Sequence, residues 1–131
     1  MKKTVIIVAM LSGFGCSSCK KQVDNTTATL ALLQHKWMVT SLNGEALRYI
    51  GATGDYYNFS TNNFLYRFIN KNYDTLSYSV QSNGKTLVVY PIVDGAKSAE
   101  PTNYNIKVLD SSELIIDYAA GTFHAIDSLK R

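Results

Sequence analysis

The chain has 131 residues, a length typical of one domain, and its formal net charge is +3. Two of the basic residues, Lys2 and Lys3, precede the first apolar run, and without them eleven basic side chains stand against ten acidic ones. No block of five like charges occurs, so the sequence lacks the basic patch of a nucleic-acid-binding protein. We therefore expect no nucleic-acid partner.

The first feature along the chain is a short apolar run between a basic head and a pair of cysteines. Lys2 and Lys3 are followed by TVIIVAMLSGFG, which carries no charge. A helix of ~12 residues covers ~18 Å, less than the ~30 Å hydrocarbon core of a bilayer. The run is therefore too short to span a membrane, and its length is typical of the apolar region of a secretory signal peptide.

Both cysteines of the chain, Cys16 and Cys19, follow this run in the sequence GFGCSSCKKQ. The basic head, the short apolar run and the small residues before a cysteine resemble the signal peptides of bacterial lipoproteins, in which that cysteine becomes the lipid-modified N-terminus. The resemblance covers residues 1–21 and implies a signal peptide over residues 1–18, with lipidation at Cys19. Two small residues precede Cys19, and lipidation at Cys16 is the alternative. The acyl chains would attach the protein stably to a membrane.

The C-x-x-C spacing has other interpretations. A redox motif is expected at the N-terminus of a helix beside a strand, whereas this pair follows an apolar run. A zinc site would need two more ligands, and the two histidines, His35 and His124, are far apart in the sequence. A plain secretory signal is a further alternative to lipidation. We expect no metal site and no cofactor.

A polar segment, residues 19–29, follows the predicted signal peptide. It lacks hydrophobic periodicity and is predicted to be a tether, of which ten extended residues reach at most ~35 Å. The residue after the lipidated cysteine would be Lys20, or Ser17 for the alternative site, and neither is the aspartate that marks inner-membrane retention in some bacterial lipoproteins. The resemblance therefore implies a lipid-anchored cell-envelope protein at the outer membrane, facing the periplasm.

The rest of the chain, residues 30–131, is predicted to form one all-β domain behind a short helical turn. Leu30, Leu32 and Leu33 follow threonines that can cap a helix, which predicts a helical turn over residues 28–34. From Trp37 onward, alternating apolar and polar residues predict eight short strands. These strands cover residues 36–42, 56–60, 64–70, 75–80, 86–91, 102–109, 114–119 and 123–129.

The segments between these strands favour antiparallel connections. Asn83-Gly84 predicts a hairpin with a type I′ turn, in which both residues have positive φ. The sequence KNYD at 71–74 predicts another turn, and the segments 43–55 and 91–101 are predicted to be longer loops. Consecutive antiparallel strands form an up-and-down meander, and closure into a barrel is favoured because an open meander leaves two unpaired edges.

The sequence LLQHKWMVTSL resembles the opening of lipocalin-like domains, in which a helical turn leads into a glycine-x-tryptophan on the first strand. Trp37 matches the tryptophan, whereas His35 occupies the position of the glycine. Asp117-Tyr118 is similar to a second, two-residue lipocalin motif. The resemblance covers about residues 30–131 and implies a lipocalin-like barrel. It also implies that Trp37 closes one end of the barrel, with Lys130 or Arg131 across its ring.

Aromatic side chains on the predicted strands are the candidates for lining a ligand site. Eight strands enclose an interior that side chains can fill or that can hold one small ligand. The many bulky residues favour a mostly filled interior, and any open mouth is expected between the loops 43–55 and 91–101. The candidate lining residues are Tyr57, Phe59, Phe64, Tyr66, Phe68, Tyr78, Tyr104 and Tyr118.

No pattern in the sequence indicates catalysis. It has no nucleophile-elbow motif and no glycine-rich phosphate loop, and His124 is a single histidine on a predicted strand. The carboxylates Asp94, Asp110 and Asp127 are dispersed in turns or at strand ends. We therefore expect a non-enzymatic binding module for a small apolar or amphipathic molecule. The alternative is a filled barrel that serves as a structural or interaction lipoprotein and docks another envelope protein.

Overall fold

A computed structural model describes residues 24–44, 48–120 and 122–131 of the chain. The predicted signal peptide, both cysteines and most of the predicted tether lie outside these described residues. Within them, helix α1 (Thr26–Leu33) precedes a series of β-strands, and no helix has the length and apolar character needed to cross a membrane. The strands are β1 (Lys36–Gly44), β2 (Arg48–Ile50), β3 (Tyr56–Phe59), β4 (Phe64–Ile69), β5 (Asn72–Val80), β6 (Thr86–Val93), β7 (Ala96–Lys97), β8 (Thr102–Leu109), β9 (Glu113–Ala120) and β10 (Phe123–Lys130).

The strands close into an eight-stranded antiparallel barrel. Neighbours along the chain pair with one another in the order β10-β9-β8-β6-β5-β4-β3-β1, and β10 pairs with β1 to close the sheet. β2 and β3 share one edge of β1, where β3 pairs with residues 36–38 and β2 with residues 41–43. β2 and β3 therefore count together as one of the eight strands of the barrel. β7 pairs with the end of β6. This closed up-and-down meander confirms the fold predicted from the sequence.

All eight predicted strands are present, and the differences lie between them. β2 and β7 lie in segments that were predicted to be loops. The turn predicted at 71–74 was wrong, because β5 already begins at Asn72. Asn70 and Lys71 make the turn instead, with φ of 48° and 66°. A tight hairpin needs positive φ at both central residues, and here a lysine adopts it as well as an asparagine.

The hairpin predicted at Asn83-Gly84 joins β5 to β6, but the predicted type I′ turn was wrong. Only Gly84 has positive φ, at 67°, and its N–H donates to the carbonyl of Gln81 at 2.9 Å. The side chain of Asn83 accepts hydrogen bonds from the backbone N–H groups of Lys85 and Thr86 at 2.8 and 3.1 Å. Asn83 therefore stabilises a longer turn, over residues 81–85, through its side chain rather than through its backbone conformation.

Helix α1 and the 81–85 turn cover one end of the barrel, which we call the filled end. The N–H of Asn25 donates to the carbonyl of Ser82 at 3.1 Å, and Oγ1 of the buried Thr29 donates to the carbonyl of Gly84 at 2.8 Å. A Cβ on Gly84 would lie 2.7 Å from Thr29 Oγ1, so glycine is needed for this close approach. The residues 26–29, predicted as the end of the tether, thus form the first half of a packed helix.

The core is concentrated at the filled end. Trp37 is fully buried, and its indole N–H donates to the carbonyl of Leu33 at 2.9 Å, which joins β1 to the end of α1. The rings of Phe59 and Tyr78 meet edge to face, with centroids 5.3 Å apart. Trp37 therefore lies in the core of the filled end, beside the helix that covers it. Other core residues include Leu65, Leu76, Leu87, Val89, Leu114, Ile116 and Leu129.

Candidate functional site

The end of the barrel opposite α1 is hollow, and we call it the open end. β1 runs away from α1 and finishes there, and the β4–β5 turn lies at the same end. A cavity of about 520 Å³ opens at this end. The interior is therefore filled at one end only, which corrects the prediction of a mostly filled barrel. The wall includes Leu42, Asn43, Tyr49, Tyr57, Arg67, Ile69, Asp74, Tyr104, Tyr118, Phe123, Ala125 and Asp127.

Three of the eight candidate lining residues line this cavity, namely Tyr57, Tyr104 and Tyr118. The rings of Tyr104 and Tyr118 lie 4.7 Å apart, and Phe123 lies 5.9 Å beyond Tyr118. These residues come from β3, β8, β9 and β10, so their rings surround the cavity from several strands. Two other candidates, Phe59 and Tyr78, are buried in the core of the filled end.

The remaining candidates, all on β4, lie on the outer face of the barrel. The ring of Phe68 stacks with Tyr56 and that of Tyr66 with Tyr73, in cross-strand pairs with centroids 5.9 and 6.5 Å apart. Phe64 lines a shallow outer groove near β7. The predicted orientation of β4 was therefore wrong, because both faces of FLYRFI are largely apolar and period-two alternation does not distinguish them.

The inward face of β4 carries Arg67, which lines the cavity. Its guanidinium donates two hydrogen bonds to Asp74, from Nε to Oδ1 at 3.0 Å and from Nη2 to Oδ2 at 2.6 Å. It also lies over the ring of Tyr57, 5.6 Å from the centroid. Burial alone would lower the pKa of Arg67, but the hydrogen bonds to Asp74 raise that pKa above its usual value. Arg67 is therefore a permanent cation in the cavity wall, paired to a carboxylate at the rim.

Asp127 is the second charged group in the wall. From the sequence it was assigned only to the carboxylates in turns or at strand ends, and no role was predicted for it. It is only 5% exposed, and the hydroxyl of Tyr57 donates to its Oδ2 at 2.9 Å. Burial raises the pKa of Asp127, against the hydrogen bond from Tyr57 and the charge of Arg67, which both lower it. Burial outweighs these two effects, so the pKa of Asp127 is raised overall, and the phenol and the guanidinium offset only part of the cost of ionising this buried carboxylate.

The tyrosines of the cavity are neutral hydrogen-bond donors. Burial, together with the neighbouring Asp127, raises the pKa of Tyr57 well above its usual value. Burial also raises the pKa of Tyr104 to about 12, although Arg67 acts in the opposite direction. Their hydroxyls therefore stay protonated at physiological pH, and the site combines aromatic surface with fixed polar groups.

Asp55 supports the rim of the cavity and was not singled out from the sequence. Its carboxylate accepts hydrogen bonds from Tyr49 Oη at 2.5 Å, Ala52 N at 2.9 Å and Asn70 N at 3.1 Å. Burial acts to raise the pKa of Asp55, but these three donors together lower it. Asp55 thereby fixes both the segment after β2 and the β4–β5 turn. An aspartate near two glycines resembles an ordinary turn residue, so no sequence pattern indicated this role.

The two histidines lie outside the cavity. His124 is on the outer face of β10, where its Nε2 lies 3.5 Å from Asp117 Oδ2 and Lys107 Nζ lies 3.2 Å from the same oxygen. His35 is half-buried between α1 and β1, and its carbonyl accepts from the N–H of Phe59 at 3.2 Å. Among the described residues, no group of three or more His, Cys, Asp or Glu is placed to hold a metal ion.

The cation expected across Trp37 is not found. Within residues 24–44, 48–120 and 122–131, no lysine or arginine lies over the ring of Trp37, so neither Lys130 nor Arg131 has that role. The cation–ring contacts in this part of the chain are Lys36 over Tyr56, Arg67 over Tyr57 and Lys97 over Tyr90.

Comparison with known proteins does not assign the chain to a class: no family model, no curated protein and no solved structure matches it. The functional hypothesis is therefore drawn from the cavity and its residues.

Proposed function

We propose that this protein is a lipid-anchored cell-envelope protein whose lipocalin-like barrel binds a small amphipathic molecule without catalysing a reaction. The observation that carries the proposal is the cavity of about 520 Å³ at the open end. Small-molecule sites are typically concave, ~300–1,000 Å³ in volume, and mostly apolar with a few fixed polar groups. The cavity fits this description in both its size and its lining.

The lining supports an amphipathic ligand rather than a purely apolar one. Tyr104, Tyr118 and Phe123 offer aromatic surface, and Arg67 and Asp127 offer charge within the same wall. Burial of ~300 Å² of apolar ligand surface at ~25 cal/mol per Å² gives ~7 kcal/mol before the costs of association. The charged groups would then orient the ligand, because each is already held by a partner in the protein.

The hollow end favours this function over the filled-barrel alternative. A protein that acts only by docking has no need of an internal cavity, and an interior packed from end to end was the feature expected of it. Here the core fills the end beneath α1, whereas about 520 Å³ stays open at the other. A matched pair of substitutions separates the two functions.

Ala125 is buried in the cavity wall on β10, whereas Ala119 is exposed on the outer face of β9. We expect Ala125→Phe to fill the cavity and weaken binding of the neutral fluorescent probe N-phenylnaphthylamine by about tenfold or more, because the probe and the new ring compete for one space. Ala119→Phe should bind the probe like the native protein. Equal binding by both variants would exclude the cavity as the binding site. Native mass spectrometry of protein purified from envelopes should also show a co-purified small molecule.

Support for the lipid anchor comes from the N-terminal sequence alone. The basic head, the short apolar run and the small residues before Cys19 are those of a lipoprotein signal. We expect Cys19→Ser to release the protein from membranes and block processing of the signal, and Cys16→Ser to leave both unchanged. Membrane association of both single variants would contradict a single anchor, and the reverse result would assign the anchor to Cys16.

A further inference from the structure

We infer that the molecule bound in the cavity carries a protonated amine, or another ammonium group, that pairs with the carboxylate of Asp127. This inference rests on the proposed binding function and adds the chemical class of the ligand. It follows from the balance of charge in the wall, from the free acceptor capacity of Asp127 and from the aromatic rings beside it.

Among the side chains that the structure describes, the charged ones that line the cavity are Arg67, Asp74 and Asp127. Arg67 and Asp74 neutralise one another through two hydrogen bonds of 3.0 and 2.6 Å. Asp127 has no cation within ion-pair distance in the described part of the chain. Among the described side chains, the wall therefore carries one carboxylate without an ion-pair partner, and an ammonium group would supply that partner.

Asp127 also has unused hydrogen-bonding capacity. A carboxylate has about four acceptor positions, and among the described residues the hydrogen bond to Asp127 comes from Tyr57 alone, on Oδ2. Its Oδ1 receives none from the described residues, although Asp127 is 5% exposed and lines the cavity. A buried carboxylate with so few donors is costly to keep ionised, and a ligand N–H group would supply the missing donor.

The rings around Asp127 favour a cation as well. Tyr57, Tyr104 and Tyr118 line the same cavity, and aromatic faces attract ammonium groups within about 6 Å of the ring centroid. An apolar tail on the amine would find Leu42, Ile69 and Phe123 in the wall. The site therefore matches both parts of an amphipathic amine.

An anionic amphiphile fits less well. Its carboxylate would have to share Arg67 with Asp74, which already accepts two hydrogen bonds from the guanidinium, and it would lie in the same cavity as Asp127. Like charges in a confined site repel one another. The geometry therefore disfavours a fatty-acid type of ligand.

The test compares three ligands that share one tail and differ in the headgroup, namely octylamine, octanol and octanoate. Each would displace N-phenylnaphthylamine from the full chain near neutral pH, where an alkylamine is protonated. We expect octylamine to bind about tenfold or more tightly than octanol, as charge-assisted hydrogen bonds allow, and octanoate to bind most weakly. Asp127→Asn should abolish the preference for octylamine while octanol binds within about threefold of its original affinity.

A matched control is Asp94→Asn, which removes the same charge from an exposed turn outside the cavity and should keep the preference for octylamine. Equal binding of octylamine and octanol, or tighter binding of octanoate, would overturn the inference while leaving the binding function intact. Failure of the native protein to bind the probe or any of the three ligands would overturn both. The headgroup series on the native protein decides the question even where Asp127→Asn does not fold.

Discussion

Arg67 and Asp74 lie directly opposite one another on the neighbouring strands β4 and β5, and two side-chain hydrogen bonds join them. The planar guanidinium matches the two carboxylate oxygens, so the pair fixes the arginine in one orientation. The side chain of Arg67 is 23% exposed and that of Asp74 is 51% exposed, which places the pair at the border between the cavity and solvent. Arg67 can therefore lie in the wall of the cavity without presenting an unpaired charge to it.

Breaking this pair should change ligand preference more than stability. Asp74→Asn removes the charge that offsets Arg67, but Asp74 is half exposed, so we expect a loss of at most about 1 kcal/mol in the free energy of unfolding. The unpaired guanidinium should then attract anions and tighten octanoate binding by about tenfold. Urea denaturation and probe displacement measure the two effects, with Asp94→Asn as the control. Unchanged octanoate affinity would show that Arg67 does not face the ligand.

Because Gly84 and Thr29 lie so close together, we expect Gly84→Ala to destabilise the protein. In Gly84→Ala, positive φ costs ~1–2 kcal/mol, and the new Cβ, 2.7 Å from Thr29 Oγ1, adds ~1–3 kcal/mol by displacing α1. Gly95→Ala is the matched control, since Gly95 also has positive φ, 79°, but no atom lies within 4 Å of its added Cβ. Thermal and urea denaturation should show the larger loss for Gly84→Ala. Equal losses would mean that α1 is not held tightly against the turn.

The raised pKa of Asp127 predicts how its contribution to stability varies with pH. Burial raises the folded-state pKa above the ordinary 3.8, so the folded state holds this proton more tightly than the unfolded state. The penalty for ionising Asp127 is absent below pH 3.8, grows as the pH rises through the folded-state pKa, and is then constant. Asp127→Asn should therefore gain stability relative to the native protein as the pH rises over this window. Urea denaturation at a series of pH values measures the difference, and a pH-independent difference would contradict the assignment.

The contribution of Asp55 to the free energy of unfolding should vary with pH in the opposite direction. Its pKa is lowered overall because the hydrogen bonds from Tyr49, Ala52 and Asn70 outweigh the effect of burial. The stabilisation is therefore fully present above pH 3.8 and is lost as the pH falls through the lower folded-state pKa. We expect Asp55→Asn to lose about 2 kcal/mol or more near neutral pH, because it removes a buried charged acceptor from three donors. The same denaturation series should show this loss shrinking in acid, and a constant loss would count against the assigned network.

The sequence predicted the barrel well because alternation is reliable where one face of a strand is clearly more apolar than the other. Tyr57 and Phe59 on β3, and Leu76 and Tyr78 on β5, point inward as expected. β2 was missed because it has only three residues and ends beside Gly51, where a Cβ would lie 2.0 Å from the carbonyl oxygen of Val39. Such a close approach of two backbones gives no periodic signal.

The polar half of the site was hidden for a related reason. A pattern of apolar and polar residues does not identify a charge that is paired inside a barrel, so Arg67 was not singled out on β4. Placing the turn at 71–74 also put Asp74 in a turn, whereas the turn at Asn70 and Lys71 sets Asp74 opposite Arg67. The pairing that makes a buried arginine tolerable depends on hairpin register, which the composition of the strand does not reveal.

Helix α1 lies at the end of the barrel opposite the mouth of the cavity. The chain enters the barrel through α1 at the filled end, and at ~3.3 Å per residue the nine residues of β1 separate the two ends by up to ~30 Å. An anchor at Cys19 would then hold the filled end toward the bilayer and turn the mouth away from it. Cargo would enter and leave through the surrounding aqueous phase, so the barrel would suit an amphiphile in transit between surfaces better than one drawn directly out of the lipid beneath it.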